Sequence, residues 1–367
     1  MIREIRLKNF KCFGDQTFAV GGMTLLTGLN GMGKSSLLQA LLLLRQSHQM
    51  GFLKERGLAL NGELACLGNA RDVLFLEARE DEIAFDLMLE NGTKAAWSFA
   101  CSGESAILPL LAGPGSGDIF REGLFGQSFH YLQAERTGPR TSFQVSPEQT
   151  LGNRGLGKAG EYCAHVLATL ERESIPIQAL GHPDAVSIGL RDQVEAWIAS
   201  VSPGTRIHAV PYPDMDLVSL QFSFVGEGFV SDHYRATNVG FALTYALPLI
   251  VATLMSAPGA LLLIENPEAH LHPRAQIKLT ELFARAAAHG VQVVLETHSD
   301  HVLNGLRLAV HGGHIPPEKA CVHFFRRAKG GMQTEVVSPD IDRRGRIDHW
   351  PEDFFDEWEK SLDSLLD

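Results

Sequence analysis

A mixed α/β fold with a mostly parallel core sheet is predicted by three features of this sequence. The first is a glycine-rich turn, Gly28-Leu29-Asn30-Gly31-Met32-Gly33-Lys34-Ser35, set between an apolar run at residues 23–27 and a leucine-rich stretch. The second is a pair of short apolar runs, residues 260–265 and 291–296, with a helical pattern between them. About thirty residues of crossover suit a right-handed βαβ unit, so the two runs should lie parallel in one sheet, with the glycine turn at its C-terminal edge. The third is a β-rich opening that contains an Asn-Gly turn.

Each element follows in order. Ile5 and Leu7 alternate with charged neighbours, as a half-buried strand requires. Residues 23–27 supply a buried strand, and residues 37–44 continue from the glycine turn as a buried helix. Residues 82–89 and 93–101 flank Glu90-Asn91-Gly92, a hairpin signal. The opening therefore reads as a β-rich N-terminal lobe around the glycine turn, residues 1–105. Composition shifts to Gly, Pro, Ser and Ala over 102–118, and a second loop-like stretch covers 137–160. Helical spacing at 161–170 and 193–201 and a strand-like run at 217–225 make residues 106–235 an inserted mixed α/β subdomain.

Residues 236–315 form the second half of the core. A long apolar helix occupies 241–255. The strand at 260–265 is followed by Pro273, where a helix begins. Leu279, Leu282, Phe283 and Ala286 mark one face of that helix, and Gly290 stops it before the strand at 291–296. Residues 321–326 and 332–337, around Lys329-Gly330-Gly331, predict another hairpin. An acidic amphipathic helix at 352–366 completes a small C-terminal domain, residues 316–367. The chain shows no coiled-coil heptad run, internal repeat or low-complexity tract.

The 367 residues, 45% of them hydrophobic, suffice for a sizeable core. Five scattered cysteines without a Cys-x-x-Cys indicate neither a disulfide framework nor a zinc site, and fit a reducing cytoplasm. The charged, alternating N-terminus lacks the apolar centre of a signal peptide, and residues 37–44 and 241–255 are too short to span a bilayer, so no membrane is expected. The formal charge of −11 argues against a DNA-coating surface but leaves room for a local basic patch, which keeps nucleic acid among the candidate partners.

The glycine turn matches G-x-x-x-x-G-K-[ST] at every fixed position, in the strand–turn–helix context that gives the pattern its meaning. Its backbone N–H groups can curl around a polyphosphate at the positive end of the following helix. Asn30, Gly31, Gly33, Lys34, Ser35 and Ser36 are the candidate nucleotide-binding residues. Lys34 would reach the β- and γ-phosphates, and the Ser35 hydroxyl would face Mg2+. ATP or GTP is the ligand this implies. At the ends of the two later strands stand Glu265-Asn266-Pro267-Glu268 and Glu296-Thr297-His298-Ser299. The acidic cluster is placed to hold the metal's water shell and to polarise an attacking water, and His298 to donate to the γ-phosphate.

These motifs together resemble the ABC-type P-loop ATPase heads of the SMC, RecF and OLD families. Leu7-Lys8-Asn9-Phe10-Lys11-Cys12-Phe13 is similar to their first strand and turn, Pro267-Glu268-Ala269-His270-Leu271-His272-Pro273 to the segment after their acidic strand, and His298 to their switch histidine. Tyr131-Leu132-Gln133-Ala134-Glu135-Arg136-Thr137-Gly138-Pro139-Arg140 and Trp350-Pro351-Glu352-Asp353-Phe354-Phe355 resemble one prokaryotic AAA-family subfamily with a small C-terminal domain of unknown function. The resemblance implies a P-loop NTPase fold, ATP with Mg2+, and two heads that sandwich the nucleotide as a homodimer or higher oligomer. In place of the signature motif, Thr237-Asn238-Val239-Gly240 precedes the long apolar helix, where Asn238 is expected to cap it and Asn238 and Gly240 to meet an anion. Typical heads carry Asp-Glu where this chain has Glu265-Asn266, which gives the metal side to Glu265, so the usual base is an amide and Glu268 is the substitute candidate.

Slow turnover is therefore expected, in a cytoplasmic ATP-dependent switch for a separately encoded effector or nuclease in prokaryotic antiviral defence or DNA maintenance. Two rivals stand beside it: a RecF-like repair ATPase that grips duplex DNA, and an ATP-binding scaffold that does not hydrolyse. His270 and His272 are assigned structural roles in preference to metal binding. Arg136 and Arg140 either face phosphate or solvate a loop. Asp340 and Asp342 resemble the Asp-x-Asp of Toprim nucleases, but the stretch after them is too short for that domain.

Overall fold

The alternation at the start of the chain forms β1 (Ile2–Phe10), with Ile5 and Leu7 buried and Arg6 exposed. The structure, a computed structural model, describes all residues except 116, 122, 153, 329–333, 353 and 367. Its contacts define two units, Met1–Gly126 with Ala320–Asp342 and Arg346–Asp367, and Gln127–Lys319 with Arg343–Gly345.

In the first unit β1 is followed by β2 (Phe13–Ala19), β3 (Met23–Gly28), α1 (Lys34–Gln49), β4 (Gly57–Ala59), the single turn α2 (Ala70–Val73), β5 (Glu82–Leu89), β6 (Lys94–Ala100) and β7 (Ile107–Ala112). An antiparallel sheet runs β2-β1-β5-β6-β7-β4. The Asn-Gly turn joins β5 to β6 in the register Phe85↔Trp97. Composition had marked 102–118 as loop. Instead β7 lies there and extends the N-terminal lobe past residue 105. Its flanking Ser, Gly and Pro conceal it, and only Leu108 along it is buried.

Helix α1 buries Leu37, Leu38 and Leu41 through Leu44, all 1% exposed or less. A helix apolar on every side belongs in a core. Its Arg45 donates to the carbonyls of Leu124 and Gly126 at 2.9 and 2.6 Å, and burial pulls the guanidinium down to about 10.

The second unit opens with β8 (Phe129–Leu132) and contains β9 (Phe143–Gln144), α3 (Cys163–Leu170), α4 (Leu190–Ile198), β10 (Thr205–Tyr212), β11 (Leu217–Gly226), β12 (Phe229–Val230), β13 (Tyr234–Arg235), α5 (Phe241–Met255), β14 (Leu261–Glu265), α6 (Pro273–Ala288), β15 (Gln292–Glu296) and α7 (Asp300–His311). Strands β14 and β15 are parallel, Ile264 beside Leu295, as the crossover length required. On the other side of β14 lies β8, also parallel, Ile264 beside Leu132. A smaller antiparallel sheet runs β10-β11-β12, with β9 and β13 also on β11.

The chain then returns to the first unit. Strand β16 (Ala320–Arg327) pairs antiparallel with β17 (Thr334–Val337), the expected hairpin, whose Lys329-Gly330-Gly331 turn lies outside the described residues. It also pairs parallel with β3, from Met23↔Ala320 to Gly28↔Phe325. The C-terminal hairpin is thus part of the first unit's sheet structure. Helix α8 (Glu357–Leu366) is the last element.

Candidate functional site

In the first unit, strand β3 feeds the glycine turn and α1 leaves it. Gly28 has φ +129, and a Cβ there would stand 2.1 Å from the Phe325 carbonyl oxygen on β16. Gly33 is the N-cap of α1 with φ +92, and a Cβ there would stand 2.2 Å from the Cys12 Sγ. Backbone conformation and close approach both demand glycine at these two positions. The Lys34 Nζ, on a side chain 3% exposed overall, donates across the loop to the carbonyls of Gly28 and Leu29, each at 2.8 Å. Asn30 and Gly31 are exposed at the tip, Ser35 is half-buried, and Ser36 is buried in the first turn of α1 with its N–H on the Gly33 carbonyl at 3.0 Å. An ammonium aimed across a glycine loop at a helix N-terminus is the chemistry that binds polyphosphate.

In the second unit the ends of β8, β14 and β15 are tied into one cluster. The Glu265 carboxylate accepts the Tyr131 hydroxyl at 2.8 Å and the Ala134 N–H at 3.0 Å. Burial first, and the nearby Glu265 charge second, push the Tyr131 phenol far above its ordinary value, so it remains a donor. Arg136, 3% exposed, donates to the carbonyls of Glu265 and Asn266, both at 2.7 Å. Asn266 takes the left-handed conformation, φ +44, and its N–H meets the Glu296 carbonyl at 2.8 Å. Glu268 accepts the Thr297 hydroxyl at 2.7 Å and the His298 N–H at 2.8 Å. The His298 side chain is exposed at the start of the turn into α7, which Ser299 caps through the His301 N–H.

Glu265, Asn266, Glu268 and His298 are therefore brought together at these strand ends. Sequence reasoning did not single out Tyr131, Ala134 or Thr297. Tyr131 lay within the quoted 131–140 stretch, but nothing local reveals that its hydroxyl meets a carboxylate on the neighbouring strand.

Two expectations are corrected. Asn238 does not cap the long apolar helix. It lies exposed in a short turn, Ala236–Asn238, while Gly240 is the N-cap of α5 and no side chain bonds there. The helix begins at Phe241, too far along for the Asn238 side chain to serve. Of the two roles set out for Arg136, solvating its loop is ruled out, because its guanidinium is buried on backbone carbonyls, whereas Arg140 is exposed. His272 is the N-cap of α6 and accepts the Arg274 N–H, while His270 packs against Tyr245 and Phe241. Asp340 and Asp342 bond within their own loop, to Asp348 and Arg346.

Among the described residues no group of three or more His, Cys, Asp or Glu is gathered as a metal cage. Mg2+ carried by a nucleotide does not need one, since it keeps several waters and takes one or two protein oxygens. Ser35 in the first unit offers a hydroxyl, and Glu265 in the second a carboxylate whose oxygens each accept one hydrogen bond; each group has the hardness that ion prefers.

A family model described as "AAA domain" matches residues 4–44, which include the glycine turn. One described as "AAA domain, putative AbiEii toxin, Type IV TA system" matches residues 231–304, from before α5 to the start of α7. A third, "Protein of unknown function (DUF3696)", matches residues 315–365. No curated protein matches the chain. Similar solved structures include an SMC head domain from Thermotoga maritima (14% identity, 92% of this chain and 98% of that one, TM-score 0.48). An SmcHead bound to the C-winged helix domain of ScpA is also similar (17%, 93% and 98%, 0.47). So is a Smc head domain with an extended coiled coil, bound to the C-terminal domain of ScpA from Pyrococcus furiosus (13%, 100% and 99%, 0.49). Among the described residues no helix is long and apolar enough to cross a membrane.

Proposed function

We propose that this chain is a P-loop ATPase head of the ABC type that binds ATP with Mg2+, hydrolyses it slowly, and uses the nucleotide state to switch a partner. The observation that carries the reading is the strand–glycine turn–helix unit itself, with Gly33 at the helix N-cap and the Lys34 ammonium across the loop. In this proposal Asn30, Gly31, Gly33, Lys34, Ser35 and Ser36 hold the phosphates. Ser35 and Glu265 would hold the metal, which would supply neutralisation of charge on the phosphate oxygens. His298 donates to the γ-phosphate. Glu268 takes the proton of the attacking water through lone pairs not engaged by Thr297 and His298, while Asn266, an amide, orients that water without deprotonating it. Phosphoryl transfer rests chiefly on positioning and charge, so an amide at that place slows turnover without forbidding it.

Two copies are proposed to sandwich ATP, with Asn238 and Gly240 at the exposed start of α5 offered to the nucleotide of the facing copy. The partner is a separately encoded effector or nuclease in the cytoplasm of a prokaryote. The wording of the central family match, a Type IV TA system, supports a defence setting over DNA maintenance. A second reading, a scaffold that binds ATP without hydrolysing it, is favoured by Asn266, which offers no proton acceptor.

The test is equilibrium ATP binding and phosphate release for the parent and for Lys34→Ala, with solution mass measured with and without ATP and Mg2+. Tight binding by the parent, lost about a hundredfold in Lys34→Ala, with slow phosphate release and ATP-dependent doubling of mass, is expected. Doubling without phosphate release selects the scaffold. A parent that fails to bind ATP sinks both readings.

A further inference from the structure

We propose that Tyr131 and Arg136 are positioning residues of the nucleotide reaction: the strand end and loop at 131–136 aim the Glu265 carboxylate and fix the Asn266 backbone. The inference rests on the proposed function above and names residues that it leaves out.

Three observations converge. Tyr131 and the Ala134 N–H each take one oxygen of Glu265, at 2.8 and 3.0 Å, which fixes the plane of the carboxylate and leaves a lone pair on each oxygen for further donors. Arg136 forks onto two successive carbonyls, those of Glu265 and Asn266, at the point where the chain takes φ +44. Asparagine tolerates that conformation better than most non-glycine residues, and the Arg136 fork fixes the chain in it. The Arg136 guanidinium also lies over the Tyr245 ring, 5.4 Å from its centroid, and its Nε makes no hydrogen bond.

A buried cation resting on carbonyls is a costly way to hold a turn that a neutral donor would hold as well. What the charge adds is a positive potential beneath two carboxylates. A guanidinium keeps its charge at neutral pH, so the potential is present whether or not the reaction is under way. Tyr131 then sets where the Glu265 oxygens point, and Arg136 sets how the following residues leave the strand.

The experiment compares the parent with Tyr131→Phe and Arg136→Lys. It reads the Mg2+ concentration that half-saturates ATP binding, ATP affinity in EDTA, and kcat against KM. Tyr131→Phe is expected to raise the Mg2+ requirement about tenfold, the scale of a lost hydrogen bond to a charged group, with metal-free affinity unchanged. Arg136→Lys keeps the charge and loses the fork, so kcat should fall about tenfold with KM little changed. The Tyr131→Phe effect should vanish in a Glu265→Gln background, because a hydroxyl acting through that carboxylate has nothing left to act on, whereas the Arg136→Lys effect, which runs through backbone carbonyls, should remain there as a loss in kcat alone. A residue that merely supports the fold would move metal-free affinity and melting temperature. Parent-like Mg2+ dependence in Tyr131→Phe overturns the inference while leaving the ATPase reading intact. A parent without Mg2+-dependent ATP binding removes both.

Discussion

The Glu268 carboxylate accepts the backbone N–H of His298 at 2.8 Å, so the loop after β14 carries the turn after β15. Its second oxygen takes the Thr297 hydroxyl at 2.7 Å. In Glu268→Gln one acceptor becomes an NH2 group facing a donor, which should cost about 1–2 kcal/mol in a urea titration. If Glu268 is also the base, single-turnover ATP hydrolysis should slow by about a hundredfold with ATP affinity retained. A rate equal to the parent's removes Glu268 from the chemistry and leaves it as a tether.

In the proposed reaction Asn266 takes the place of the usual proton-accepting acid. Asn266→Glu should raise the hydrolysis rate by about tenfold or more, at a cost of roughly 1 kcal/mol for a longer side chain at φ +44. Steady-state phosphate release measures the gain. An unchanged or lower rate would mean that the amide is not what limits turnover.

The two inner glycines of the phosphate-binding turn should respond differently to a methyl group. Gly31→Ala, at φ +74 with nothing within 4 Å of the added Cβ, carries backbone strain alone, about 1 kcal/mol. Gly33→Ala adds a collision with the Cys12 Sγ at 2.2 Å and a tight contact with Phe13 at 3.1 Å, so a further loss of about 1–3 kcal/mol and at least tenfold weaker ATP binding are expected. Denaturation midpoints of the two variants side by side give the difference, and equal midpoints would contradict it.

His130 on β8 is buried, and burial lowers its imidazole from 6.5 to about 4. The folded state therefore binds fewer protons than the unfolded state between pH 4 and 6.5, and stability must rise with pH across that window. Its contribution is complete above about 6.5 and is lost progressively towards 4, by roughly 3 kcal/mol at the low end. Urea midpoints of the parent should fall through that range, and those of His130→Gln should fall less. Parallel curves would place the acid sensitivity elsewhere.

Local pattern carried much of this architecture. The β3–turn–α1 unit, the β5–β6 hairpin and the parallel β14 and β15 were legible because their periodicity, their glycines and the length of the crossover each act over short range. Strand β8 was not, because Phe129-His130-Tyr131-Leu132 is four residues long and exists as a strand through its bonds to β14. Strand β7 was hidden by its flanks, and Asn238 misled because the letters of a cap do not fix where the helical dihedrals begin. At the candidate site, Lys34, Glu265 and His298 could be named from motifs. Their bonding could not, since the partners of Glu265 and Glu268 come from other strand ends and depend on register that only the folded sheet defines.

The parallel pairing of β3 with β16, Met23 beside Ala320 and Gly28 beside Phe325, has a consequence for how the molecule comes into being. The strand that launches the glycine turn is translated about three hundred residues ahead of the neighbour against which its last glycine is wedged. A nascent polypeptide should thus stay unable to grip nucleotide until Ala320 and the residues after it have been added, and chains arrested before that point would be blind to ATP.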